Sequence, residues 1–133
     1  MKSEVHITID SGADIVTARQ EGRRLAAEAG FSGTDLTMIA TAISELARNI
    51  VEYAHDGEII LALVGDGDRK GFRVVARDGG PGIANIELAM QDGYSTGRGL
   101  GLGLPGTRRL MDEFRISSKV GVATTVTAIK WLR

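Results

Sequence analysis

Asp78-Gly79-Gly80-Pro81-Gly82 sets one acidic side chain at the mouth of a turn built from three glycines and a proline. It follows a strand-like run, residues 71–76, in which Phe72, Val74 and Val75 stand among charged and small residues. Glycine admits backbone angles and close approaches that a side chain blocks, and proline fixes its own φ. An aspartate there can accept hydrogen bonds from a group lying over the glycines, or can simply serve as a turn residue. A second glycine-rich stretch, Gly101-Leu102-Gly103-Leu104-Pro105-Gly106, leads into a helical pattern. It matches a dinucleotide fingerprint by letter but not by context, since no strand runs directly into it. Its physical content survives: backbone N–H groups and the positive end of a helix dipole suit a phosphate. The third feature is a pair, Glu45 and Asn49, four residues apart in a helical stretch. With Thr41 and Glu52 they form a polar face apart from the apolar stripe, and Glu45 and Asn49 sit one above the other.

Composition narrows the setting. The 133 residues are 43% hydrophobic and 25% charged with a formal net charge of -1, which suits one soluble globular domain spanning 1–133. The basic face that a nucleic acid would require is missing from this balance, and no apolar run or signal pattern points to a membrane. Without cysteine there is no disulfide frame, thiolate nucleophile or Cys-ligated zinc, and His6 and His55 are too far apart to suggest a metal cluster. A cytoplasmic protein is expected.

The elements that must position these residues follow from periodicity. Residues 4–10 alternate as a half-buried strand with His6 exposed. Asp10 or Ser11 caps a helix to about Ala29, with Ile15, Val16, Ala18, Leu25 and Ala26 inward, and Gly30 ends it. The clearest helix is 34–53, capped by Thr34, with Leu36, Ile39, Ala40, Ile43, Leu46, Ala47 and Ile50 facing the core. His55 lies near its end. Strands at 58–64 and 70–76 join through a hairpin at 65–69. A short helix at 85–90 and a mobile polar loop at 92–99 precede a third helix, 100–114, with Leu104, Leu110 and Met111 inward and Pro105 in its first turn. Strands at 115–119 and 123–132 close the chain. Grouped strands and separate helices predict an α+β two-layer sandwich, one sheet with helices on one face.

Taken together, the three stretches resemble the GHKL, or Bergerat-fold, ATPases and kinases. Glu45-Leu46-Ala47-Arg48-Asn49 resembles the N box of that family, Asp78-Gly79-Gly80-Pro81-Gly82 its D-x-G-x-G box, and 99–103 its second glycine box. Thr124 resembles the threonine that closes the adenine pocket, although Gly121-Val122-Ala123-Thr124 lacks the second glycine of the usual Gly-x-Gly-Thr. Over the whole chain the likeness is to stand-alone bacterial serine-protein kinases that regulate sigma factors, the group of the stressosome kinase and switch proteins. It is carried by 42–50, 103–106, 109–114 and 128–133.

The resemblance implies a mixed, mostly antiparallel sheet and ATP and Mg²⁺ as ligands. It implies STAS-domain proteins of the RsbS or RsbR kind as phosphoacceptors, and a PP2C-type phosphatase as a second partner. Carried over by residue, Asp78 accepts from the adenine amino group and Gly80 and Gly82 let the base pack closely. Asn49 holds Mg²⁺, Glu45 is the general base, and Gly99, Gly101 and Gly103 cradle phosphates. Related kinases place an arginine just before the second glycine box; Arg98 stands a residue or so from that place and is the candidate for a transition-state role. Two other readings stay open: an anti-sigma factor that sequesters a sigma subunit with the help of ATP, and a nucleotide-binding scaffold without transfer activity.

Overall fold

A single register aligns the apolar positions of five strands. The computed structural model describes residues 4–54, 56–80, 103–119 and 123–133. In chain order these form β1 (Glu4–Ile9), α1 (Gly12–Glu28), α2 (Gly33–Asn49), a π-helical turn (Ile50–Ala54), β2 (Gly57–Asp66) and β3 (Arg69–Asp78). After these come α3 (Gly103–Leu110), β4 (Glu113–Lys119) and β5 (Ala123–Trp131). The strands lie in the order β1-β2-β3-β5-β4. The expected helix at 85–90, the polar loop at 92–99 and His55 lie outside the described residues.

Because side chains alternate faces along a strand, the pairing arranges the helix-facing positions in cross-strand rows. Val5, Leu61, Val74, Ala128 and Phe114 form one row, and Ile7, Ile59, Ala76, Val126 and Ile116 form the next. Both are apolar and contribute to the main core with Ile39, Ile43, Leu46 and Phe72. Phe31 meets Phe72 edge-on, ring centroids 6.4 Å apart at 79°. Each fully buried Ile, Leu or Phe contributes about 1.5–3 kcal/mol relative to exposure.

All four pairings are antiparallel, so the described strands hold none of the parallel pairing that a mixed sheet implies. The reason is visible in the first connection. α1 and α2 pack against each other and return the chain to the end of β1 that it left, where Gly57 pairs with Ile9.

Several boundaries differ from expectation for local reasons. Ser11 caps α1, and Asp14 reaches back to accept the Asp10 and Ser11 amides at 2.9 and 3.2 Å, which holds its carboxyl below the ordinary range. Val16 is exposed, one 100° step off the buried face of Ile15, Ala18 and Ala26. Ser32, not Thr34, caps α2, because Gly33 turns the chain into the helix with φ +56°, an angle that favours glycine. The helix at 100–114 stops at Leu110, and Phe114 is a strand residue. Asp112 redirects the chain: its amide donates to Ile129 O at 2.9 Å and its Oδ2 accepts from Trp131 N at 2.7 Å. No helix among the described residues is long and apolar enough to cross a membrane.

Lys130 lies in the helix-facing series of β5 and is buried. Its ammonium donates to Leu110 O at the last turn of α3 (2.8 Å), contacts Met38 Sδ (3.4 Å) and stands 3.8 Å from Asp35 Oδ1 in the first turn of α2. One cation thus stabilises the carbonyl end of α3 and the acidic start of α2. Lys130→Met keeps the bulk and leaves the carbonyl without its donor. Urea denaturation is expected to show a loss of about 1–3 kcal/mol, whereas an unchanged midpoint shows that the ammonium adds nothing to the packing.

The opposite face of the sheet carries ion pairs. His6 bridges Glu58 Oε1 (2.9 Å) and Glu4 Oε1 (3.3 Å), tying β1 to β2, and the hydrogen bond to Glu58 raises its pKa above the ordinary histidine value. A raised folded-state value means that the stabilisation is complete below pH 6.5 or so and disappears as pH rises through the folded value. In urea titrations His6→Gln should therefore be less stable than wild type in mild acid and equal to it in mild alkali. A difference that does not vary with pH rejects the pair.

Candidate functional site

The third helix-facing row breaks the apolar pattern. It reads Ile9, Gly57, Asp78, Thr124, Ser118 across β1, β2, β3, β5 and β4. Asp78 has Gly57 on one side and Thr124 on the other, and the Thr124 hydroxyl lies 2.9 Å from Ser118 Oγ. The hydrophobic layer between sheet and helices ends in an acid and two hydroxyls, and this edge forms the floor of the candidate site.

Glycine lets neighbouring groups close tightly on that edge. At Gly57 a Cβ would lie 2.5 Å from Arg77 O and 3.0 Å from both Asp78 Cβ and Ile50 Cγ2. At Gly80 it would lie 2.6 Å from Ala54 Cβ and 2.9 Å from Ala54 Cα. The Gly80 amide donates to Asp78 Oδ1 at 2.9 Å, so the turn after β3 orients one carboxylate oxygen and leaves Oδ2 for another partner. Ala54 reaches Gly80 because the last turn of the α2 segment widens into a π-helix, a feature frequent at functional sites. Periodicity does not reveal such a turn; the glycine at 57, just ahead of a strand, was the only sequence signal for the close approach there.

Asn49 is the last residue of α2, next to the Ile50 that meets Gly57, and Glu45 lies one helical turn before it. Glu45 is not on a solvated face. It is 4% exposed, because α2 is enclosed by α1, α3 and the sheet. Its Oε2 is buried without a hydrogen-bond partner, and so is Arg48 Nε, 4.0 Å away. An unsatisfied buried acceptor costs about 1–3 kcal/mol, more when charged, which marks Oε2 as the atom waiting for a donor. Asn49 is half-buried. Gly103 begins α3, which packs against α2 and is anchored at its Leu110 end, through Lys130, near Asp35. Gly82, Arg98, Gly99 and Gly101 lie outside the described residues.

The donor set can be tested against the expected ligands. Among the described residues no three His, Cys, Asp or Glu side chains gather as a metal site. A lone amide oxygen such as that of Asn49 fits a Mg²⁺ that takes most of its ligands from phosphates and water.

Comparison with known proteins defines the class. The model of the histidine kinase-like ATPase domain matches residues 10–130, and the chain belongs to that family. Within it, the chain is 51% identical over its full length to the whole of the serine/threonine-protein kinase RsbT of Bacillus subtilis. An anti-sigma F factor of Anoxybacillus flavithermus is 33% identical over 105 residues, 74% of this chain and 70% of that one. Among solved structures, the RsbU and RsbW domains of a Mycobacterium tuberculosis protein superpose with a TM-score of 0.67 at 26% identity. That match covers 98% of this chain and 33% of the larger one. The mycobacterial sensor histidine kinase MprB, with a TM-score of 0.56 at 18% identity over 96% of this chain, shares the fold. Family membership implies that the chain uses ATP.

Gly80→Ala is expected to destabilise the chain by about 1–3 kcal/mol, since the added methyl must displace Ala54 or the turn. Gly12→Ala, where a Cβ meets nothing within 4 Å, is the matched control and should change stability by less than about 0.5 kcal/mol. Equal urea midpoints for the two variants contradict the close contact.

Proposed function

We propose that the chain is an ATP-dependent serine/threonine-protein kinase whose general base is Glu45. The observation that carries this reading is the buried, unpartnered Oε2 of Glu45, one helical turn before Asn49. A serine or threonine hydroxyl entering there donates its proton to Oε2 as its oxygen bonds to the γ-phosphorus, and the bond to the ADP oxygen breaks. Phosphoryl transfer is mainly positioning and charge stabilisation, so a base, a metal ligand and a backbone cradle supply what the protein must provide. Arg48, 4.0 Å from Glu45, keeps a positive charge beside the carboxylate.

The remaining roles follow the same chemistry. Asp78 Oδ2 accepts from the adenine amino group, Gly80 and Gly82 let the base pack closely, and Thr124 faces the same edge. Asn49 would hold Mg²⁺, whose charge neutralises the phosphates when it is bound. Gly99, Gly101 and Gly103 cradle phosphates at the start of α3, with Arg98 the residue for transition-state charge. The acceptors are STAS-domain proteins of the RsbS or RsbR kind and the switching partner is a PP2C-type phosphatase, with the protein acting in the cytoplasm. The likeness to an anti-sigma F factor favours, as a second reading, binding of a sigma subunit by the same ATP-loaded domain.

Two substitutions on one helix separate these roles. Glu45→Gln keeps shape and hydrogen bonding but accepts no proton at neutral pH. It should bind ATP with Mg²⁺ nearly as wild type while transfer to a STAS partner falls about 10²–10⁴-fold. Asn49→Ala should lose transfer together with the Mg²⁺-dependent part of ATP affinity. Labelled-phosphate transfer and calorimetry read both, and wild-type transfer by Glu45→Gln removes the catalytic assignment.

A further inference from the structure

Two polar atoms on α2 are buried with nothing to bond to, and they stand together. Glu45 Oε2 and Arg48 Nε each lack a hydrogen-bond partner among the described residues. One is an acceptor and the other a donor, and they lie 4.0 Å apart. That is too long for a direct hydrogen bond. It is a gap that a single oxygen can span, since an atom about 2.7–2.9 Å from each satisfies both at once. The bridging atom must donate to Oε2 and accept from the Nε–H. A hydroxyl does both, having one proton and two acceptor lone pairs. Glu45 is closed from solvent, whereas the Arg48 side chain is 34% exposed, so the pair opens outward at its guanidinium end.

We propose that Arg48 is a positioning residue for phosphoryl transfer: its Nε–H holds the oxygen of the incoming serine or threonine hydroxyl while Glu45 Oε2 takes the proton. The four directions around that oxygen are then assigned. One is the bond to the acceptor side chain, one the proton shared with Glu45, and one the lone pair held by Arg48. The last lone pair forms the bond to the γ-phosphorus as the bond to the ADP oxygen breaks, and Arg48 keeps its own proton throughout. Fixing the direction of a nucleophile in this way lowers the barrier through orientation alone. The inference rests on the reading that Glu45 is the general base. An arginine in the last turn of α2 also suits the carbonyl end of the helix, and its charge also suits the carboxylate. Neither of those roles needs an N–H at the ε position, and positioning does.

Methionine and glutamine both reach as far along the side chain as the arginine Nε, and neither is charged; only glutamine carries an N–H there. Labelled-phosphate transfer from ATP with Mg²⁺ to a saturating STAS-domain acceptor should fall about 10–100-fold in Arg48→Met, the worth of one hydrogen bond from a charged donor. Calorimetry should find its ATP affinity unchanged, because the hydroxyl and not the nucleotide is held. Arg48→Gln should recover most of the transfer. Wild-type transfer by Arg48→Met, or an equal loss in the two variants, overturns the proposal, since a role at the helix end or through charge alone moves both alike. A fall in ATP affinity that matches the fall in transfer overturns it as well. Arg48→Gln tests the point by itself where Arg48→Met does not fold: a loss of about tenfold or more in the folded variant rejects the N–H. Glu45→Gln separates the two levels. If it loses transfer while Arg48→Met does not, only the role of Arg48 fails. If it transfers as wild type does, the general base lies elsewhere and both readings fall.

Discussion

The register of β3 against β2 and β5 is the constraint on which the site depends. Asp78 has the same strand parity as Phe72, Val74 and Ala76, so the pairing that buries those three also turns Asp78 toward the helix layer. A slip of one residue would send the whole set to the other face. It would expose Phe72 and place Arg77, now paired with Glu58 on the open face, inside the core. The apolar rows therefore fix the polar row, and the position of the acid is secured by hydrophobic burial several residues away. Gly57 and Thr124 inherit their positions from the same pairing, which is why an acid, a close-packed glycine and a hydroxyl meet at one sheet edge.

Above that edge α2 combines two demands that oppose each other. Its burial on several sides supplies core contacts through Ile39, Ile43 and Leu46, and the same enclosure removes Glu45 from water. Taking a carboxylate out of water without a hydrogen-bonded partner is unfavourable, and the Arg48 guanidinium at 4.0 Å offsets this only in part. Glu45 Oε2 and Arg48 Nε both stay unsatisfied although an apolar residue at 45 would suit the packing better. A carboxylate is thus held in the core at some cost in stability.

Much of this was legible in the sequence because it depends on local periodicity. The succession of strands and helices along the chain, the two long helices and the inward positions of Leu104, Leu110 and Met111 follow from spacing alone. The glycine clusters correctly marked Asp78 and Gly80 as a close-packed turn. What was not legible depends on the third dimension. The face of Glu45 reads as polar until a third helix covers it. The π-helical turn leaves the letter pattern of 50–54 unchanged and appears only when Ala54 is found against Gly80. Gly57 and Ser118 carry no motif; their place comes from being one and four strands along from β1 in a row that only the register creates. Lys130 would pass for a surface lysine in a strand of alternating character, and its burial is a consequence of where Asp35 and the end of α3 fall.

The two helices of the site are held in different ways at their two ends. Far from the polar row, Lys130 joins the start of α2 to the end of α3 through Asp35 and the Leu110 carbonyl, a buried charge-assisted contact. Near the row, α2 is held by steric fit, with Ile50 against Gly57 and Ala54 against Gly80, where no side chain intervenes. A fit of this kind sets distance without adding a directional bond, and beside it Glu45 Oε2 has no hydrogen-bond partner. The fold thus places its strong internal bonds at the end away from the polar row and leaves hydrogen-bonding capacity at the row itself. This division allows one small layer of side chains to be firmly packed and still receptive.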